Sequence, residues 1–188
     1  MRRQHHDEDP EKAGGTLLVA HPSLLDPNFK QTVLFLPSNL QKDGSYGLVL
    51  NRPTDKCVEE VLGGENLGSL GEIPIFLGGP VGMNELIFTS LQWRTDLNQM
   101  IFRHHLPLDE AKEIALIAPE RLRAFVGYAG WTRGQLDMEL SQKAWLYHDP
   151  FLGAADLDLV PELWHTIMRQ LGPWFHLHAT IPDNPSLN

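Results

Sequence analysis

Seven short runs rich in branched aliphatic residues set the strongest limit on what this chain can fold into. Residues 16–21, 32–36 and 46–50 are each bounded by Pro, Asn, Asp or Gly, the composition and punctuation of β-strands. Residues 73–77, 85–93, 100–104 and 122–128 continue the series. Within it, the stretches 85–88 and 99–102 are expected to pair as a hairpin. Helical periodicity is rarer and clearest near the end, where Val160, Leu163, Trp164, Ile167, Met168 and Leu171 fall on one stripe. Pro161 suits the first turn of that helix and Gly172 its end. A second helix is expected over 108–117, opened by Asp109 and Glu110, and a short one over 56–62. Strands and helices do not alternate regularly. The order predicts an α+β fold: a central mixed, largely antiparallel sheet of about six or seven strands with about four helices packed on it.

At 188 residues the chain has the length of a single domain, expected over residues 14–181. Residues 1–13 mix both charge signs without a hydrophobic period and read as a disordered tail, and 182–188 look equally loose. His5, His6, Asp7, Glu8 and Asp9 could bind a metal only weakly, because a flexible cluster imposes no coordination geometry. The formal net charge of -9 would repel phosphate backbones and argues against direct nucleic-acid binding. Cys57 is the single cysteine, so no intrachain disulfide is possible and a reducing, cytoplasmic location is expected. The apolar run 16–20 is too short for a signal-peptide core, and no stretch is long enough to span a bilayer.

The most informative segment is 127–140, Gly-Tyr-Ala-Gly-Trp-Thr-Arg-Gly-Gln-Leu-Asp-Met-Glu-Leu. It reads as a strand-to-helix corner. Thr132 is placed to cap the helix, Gln135 to reach back to the Thr132 amide, and Trp131 to staple against Leu136. Gly127 and Gly130 allow a sharp turn or a close backbone approach. The structural reading is a tightly packed corner; the functional one is an anion pocket at the helix start beside Arg133.

This run, with Glu139 and Trp145, resembles the signature of the YqgE/AlgH family of bacterial proteins. The same family's landmarks are matched by Gly15 to Pro22, by Asp26-Pro27-Asn28-Phe29 with Thr32-Val33, by Gly47 to Pro53, and by Gly78-Gly79-Pro80-Val81. Four motifs in fixed order make the match specific, and it extends over roughly residues 14–165. The resemblance implies an α+β fold with a mixed sheet and, from one branch, a regulatory role in exopolysaccharide gene expression. It supplies no catalytic residues.

Asn51-Arg52-Pro53 reads as a turn whose Asn51 and Arg52 could hold a carboxylate or phosphate, beside Gly78 to Pro80 if the two strand ends share one edge of the sheet. No phosphate-loop motif surrounds Gly78-Gly79, no GxSxG elbow holds a serine, and no cofactor motif is legible. His176 and His178, two apart in an expected strand, would face one side and supply two imidazoles, but further ligands are not visible and no metal site is assigned. His104 and His105, if extended, point to opposite faces. Two functions remain. The first is a non-catalytic binding or regulatory protein acting indirectly through an unidentified protein partner or a small anionic ligand, with Asn51, Arg52, Gly78, Gly79, Trp131 and Arg133 as candidate ligand-binding residues. The second is an enzyme on a small anionic substrate, with Arg52 and Arg133 holding the anion and Asp137 or Glu139 as general base.

Overall fold

The computed structural model describes residues 14–38, 44–63 and 66–180; the tails expected at 1–13 and 182–188 lie outside the described residues. Among the described residues, nine strands form one mixed sheet, accompanied by six α-helices. The strands are β1 (Gly15–Ala20), β2 (Val33–Pro37), β3 (Gly44–Val49), β4 (Pro53–Cys57), β5 (Pro74–Leu77), β6 (Val81–Arg94), β7 (Gln99–Arg103), β8 (Leu122–Thr132) and β9 (Trp145–His148). The helices are α1 (Val58–Leu62), α2 (Leu108–Ile117), α3 (Gln135–Ser141), α4 (Leu152–Ala155), α5 (Leu163–Leu171) and α6 (Pro173–Thr180). The α+β class stands, with more strands and helices than the sequence suggests. Both additional strands, β4 and β9, lie at ends of the strand order β4-β5-β8-β3-β2-β1-β9. Pro53 is tolerated because it opens an edge strand.

The aliphatic runs are continuous because the sheet is covered on both faces. Along β1, Leu17 and Val19 enter one apolar cluster with Phe35, Phe125 and the buried stripe of α5, while Leu18 and Ala20 enter another with Leu34, Trp131 and Trp145. A third cluster lies under α2, where Ala111 and Ala115 meet Ile75, Phe88, Leu122 and Ala124. No helix among the described residues is long and apolar enough to cross a membrane.

The central strand β8 has three partners. β5 pairs with it in parallel at Ala124–Val126, and β3 pairs antiparallel at Ala129–Thr132. The opposite edge carries β6, antiparallel from Leu122 to Tyr128. Only Gly78, Gly79 and Pro80 join β5 to β6, so the chain must step across two strand spacings, about 9.5 Å, in three residues. It does so by laying its backbone directly across β8. A Cβ on Gly78 would lie 2.2 Å from the Gly127 carbonyl oxygen, and one on Gly79 would lie 2.2 Å from the Tyr128 carbonyl carbon. The reciprocal Cβ on Gly127, whose φ is +70°, would meet the Gly79 oxygen at 2.3 Å. At the same fork the Gly78 N–H donates to Val126 O and the Val49 N–H to Gly78 O, each at 2.9 Å.

Several expectations are corrected. The hairpin exists, but it pairs Ser90–Arg94 with Gln99–Arg103, while Leu86–Ser90 of the same strand pair with β8. The expected helix over 160–171 begins as a 3-10 turn, Leu157–Glu162, that contains Pro161, and becomes α-helical at Leu163. Lys56 and Cys57 belong to β4, so α1 starts at Val58. His176 and His178 lie on α6 rather than a strand; successive helical positions turn by about 100°, so a spacing of two sends the side chains apart.

The crossing gives a direct test. Gly127→Ala, which forces both a positive φ and a backbone clash, should lower unfolding free energy in urea by roughly 3 kcal/mol or more. Gly130→Ala, where a Cβ would meet only the Tyr128 ring at 3.4 Å, should stay within about 1 kcal/mol of wild type. Equal effects of the two substitutions would refute the crossing as the constraint.

Candidate functional site

Asn51 and Arg52 follow β3 and clamp the loop before β2. The Asn51 Oδ1 accepts from the Val33 N–H at 2.8 Å and its Nδ2 donates to Gln31 O at 2.9 Å. Arg52 Nη2 donates to Lys30 O at 2.8 Å. The loop reinforces itself, since Asp26 Oδ1 accepts from the Asn28 N–H at 2.8 Å and Thr32 Oγ1 donates to Phe29 O at 2.7 Å. Held this way, Pro27 and Asn28 face the crossover, and between them opens a cleft of about 330 Å³ lined by Pro27, Asn28, Val49, Arg52, Leu77, Gly79, Pro80 and Met83. Arg52 is the one charged residue in that lining. Around it Leu77, Val81 and Met83 are 40%, 41% and 49% exposed, a concentration of apolar surface that mobile water solvates poorly. Behind the loop a second cavity of about 190 Å³ is lined by Lys30, Gln31, Asn51, Arg52, Pro161, Trp164 and His165. Arg52 borders both.

Of the sequence candidates, then, Arg52 and Gly79 share the cleft, Gly78 lies at its base through the bond from Val49, and Asn51 lies behind it. Trp131 and Arg133 are elsewhere. β3 runs antiparallel to β8 with Gly44 opposite Thr132, so the 131–135 corner sits at the start of β3 and Arg52 beyond its end. The six residues of β3, a span of about 17 Å, lie between them. Pro27, Leu77 and Met83 are contributors that the candidate residues do not include. Asp26-Pro27 and Pro80 were visible as landmarks, whereas Leu77 and Met83 resemble ordinary strand residues.

The corner itself is a hydrogen-bonded core element. Gly134, with φ of +80°, is the N-cap of α3, and Thr132 is the last residue of β8. Only half of the expected reciprocal cap forms: the Thr132 N–H donates to Gln135 Oε1 at 3.1 Å. Gly134 replaces Thr132 as cap because the left-handed turn that bends the chain from strand to helix favours glycine. Trp131 and Leu136 do pack in one cluster. The Glu139 carboxylate ties the corner together, accepting from Trp131 Nε1 at 2.9 Å, Trp145 Nε1 at 2.7 Å and Gln135 Nε2 at 3.0 Å. Its oxygens are thereby committed to two indoles and an amide. Asp137 is exposed.

Two further groups stand out. Arg123 is fully buried on β8, its Nη2 donating to Ala155 O at 2.7 Å and its guanidinium 5.7 Å from the Phe76 ring centre. Burial pulls its pKa down to about 10, partly offset by Asp156, so it stays protonated at neutral pH. His104 and His105 do not diverge, because His105 adopts φ of +54° and brings the two rings within 3.9 Å. His104 also stacks on Tyr46 at 5.0 Å, and Tyr46 lies 5.1 Å from Tyr128. Among the described residues no group of three or more His, Cys, Asp or Glu is arranged to hold a metal ion.

The mixed sheet, the glycine crossover and the arginine-lined cleft define an α+β protein with a cleft where β3, β5 and β6 meet β8. The chain belongs to the AlgH-like family, whose model (DUF179) matches residues 17–176. A UPF0301 protein of Streptomyces coelicolor is 35% identical, the match covering 93% of this chain and 94% of the relative. One of Chlorobium phaeobacteroides is 31% identical over 93% and 95%. Among solved structures, the solution structure of the AlgH protein of Pseudomonas aeruginosa is 29% identical with a TM-score of 0.65, covering 97% of this chain and 100% of that one. A crystal structure of a Corynebacterium diphtheriae protein, 21% identical with a TM-score of 0.67 over 96% and 95%, shares the fold.

Two substitutions test these assignments. Glu139→Leu leaves two buried indole N–H groups unpaired and should cost about 2–4 kcal/mol in urea unfolding, whereas Glu139→Gln, which keeps an acceptor, should cost less. Similar costs would remove Glu139 as the tie. For His104, burial and then the neighbouring His105 lower the pKa from 6.5 to about 4. The unfolded chain therefore takes up a proton that the folded one refuses, and stability declines as pH falls through 6.5 toward 4. Melting temperature followed across that window should drop further for wild type than for His104→Phe, which keeps a ring against Tyr46. Parallel curves would show that His104 contributes nothing.

Proposed function

We propose that this chain is a non-catalytic ligand-binding protein whose ligand is a small anion held at Arg52, and that ligand occupancy is communicated to a protein partner in a regulatory role. The observation that carries this reading is the lining of the 330 Å³ cleft: one arginine set among apolar side chains and backbone, with no carboxylate, histidine, serine or cysteine in the wall. Its size suits a small ligand. An acid–base enzyme needs a titratable group within hydrogen-bond reach of its substrate, and here the wall offers an anchor instead. The exposed apolar residues Leu77, Val81 and Met83 give a partner or ligand something to cover. Membership in the AlgH-like family supports the regulatory part. The net charge of -9 favours action through another protein over gripping DNA.

The enzyme reading, with Arg52 and Arg133 clamping one anion, is weakened by their placement at opposite ends of β3.

A thermal-shift screen of phosphate, sugar phosphates, nucleotides and small carboxylates tests the proposal. A ligand at a hundred times its dissociation constant contributes about 2.7 kcal/mol, a rise of roughly 5–10 °C for a chain of this size. Arg52→Ala should lose that rise measured from its own lower baseline, because the clamp on the Lys30 carbonyl goes with it; Arg133→Ala should keep it. No response to any anion, or a rise that survives Arg52→Ala, overturns the reading.

A further inference from the structure

Arg123 on β8 and Thr89 on β6 are direct cross-strand partners, and both are fully buried. Side chains two residues apart on a strand share a face, so Ile87, Leu91 and Phe125 of the apolar cluster under α5 flank the pair. In these surroundings the guanidinium reaches one acceptor, the Ala155 carbonyl at the end of α4, through Nη2. Its Nε and Nη1 have no hydrogen-bond partner, and neither has the Thr89 hydroxyl. Cβ atoms of opposed residues lie about 4.5–5.5 Å apart, yet the two side chains do not bond to one another. No carboxylate among the described residues forms an ion pair with Arg123. Asp156 acts on it only from a distance, because the Asp156 side chain is exposed and its Oδ1 accepts from the Asp158 N–H. A cation and three orphaned polar atoms are thus enclosed among apolar side chains, which a low dielectric penalises heavily unless a counter-charge shares the space.

We propose that a single monovalent anion, chloride, is bound between Arg123 and Thr89 inside the fold and helps to hold α4 against the sheet. The guanidinium nitrogens only donate, and the threonine hydroxyl can turn to donate as well. The site therefore presents hydrogens and one sign of charge. A water would bring two hydrogens of its own and leave the cation unbalanced, whereas a halide accepts from every donor and neutralises the guanidinium. Because both side chains are sealed from solvent, an ion the size of a water suits the site and a carboxylate or phosphate ester does not. The assignment does not involve Arg52 and is independent of the cleft.

Thermal unfolding of the full chain at constant ionic strength, with sodium chloride replacing sodium gluconate, tests the proposal. A tenfold rise in chloride above its dissociation constant should raise the melting temperature by roughly 3–5 °C. Bromide should act as chloride does. Loose surface attraction cannot imitate this, since a net charge of -9 draws cations. Thr89→Val keeps the side-chain shape and should abolish the chloride response, with a lower melting temperature than wild type in chloride; Arg52→Ala should keep the response. Equal melting temperatures for wild type in chloride and gluconate overturn the proposal. So does a chloride response that survives Thr89→Val, or one that Arg52→Ala abolishes, which would move the anion to the cleft. A Thr89→Val variant at least as stable as wild type in chloride also overturns it, because valine would then only be removing a hydroxyl that binds nothing.

Discussion

The contact on which this architecture turns is backbone against backbone: Gly78 and Gly79 lying across Gly127 and Tyr128. Everything on either side of β8 inherits its position from that crossing. It allows β5 and β6, linked by three residues, to hold opposite edges of the same strand, and it lets β3 and β5 fork from one edge. Side chains have no room at the contact, so sterics rather than attraction specify the geometry. The crossing also turns Leu77, Pro80 and Met83 outward around the fork, which is why a cleft opens there rather than a closed ladder.

Arg52 and Asn51 illustrate how one pair of residues serves structure and site together. Their hydrogen bonds to Lys30 O, Gln31 O and the Val33 amide convert a loop into a wall. A guanidinium has five N–H donors, so a bond from Nη2 to a carbonyl orients the group without exhausting it. Anchoring costs less when the anchor is already fixed, because the side chain loses little further freedom on binding. Glu139 shows the other outcome. Two indoles and an amide occupy its oxygens, and the corner that carries the family's most legible signature acts as a core fastening.

The sequence made the sheet visible because both its faces are apolar, and each run of aliphatics became a strand within a residue or two at most ends. It hid β4 and β9 because edge strands need little hydrophobic pattern: Pro-Thr-Asp-Lys-Cys carries no run, and Trp-Leu-Tyr-His is too short for one. Local chemistry misled at three points. Thr132 and Gln135 have the spacing of a reciprocal cap, but the chain is still extended at Thr132 and turns at Gly134. His176 and His178 alternate with apolar residues as a strand would, yet Pro173 opens a helix there. Gly127 and Gly130 look alike in sequence, and only the segment crossing Gly127 distinguishes them. The cleft was half legible: Arg52 and Gly79 were marked by unusual residue types, whereas the exposure of Leu77 and Met83 is a property of the fork, which no local stretch encodes.

The crossing also has a bearing on how the molecule assembles. The residues that meet there are separated in the chain by the whole β6–β7 hairpin and α2, so seating β8 requires a loop that contains those elements to close. Closure of a longer loop slows the search far more than it lowers final stability. Until β8 arrives, β3, β5 and β6 each expose an unpaired edge of apolar strand, the kind of surface that seeds intermolecular pairing. Aggregation during refolding should therefore depend on how quickly one central strand finds its slot, and two small glycines set how easily it slides in.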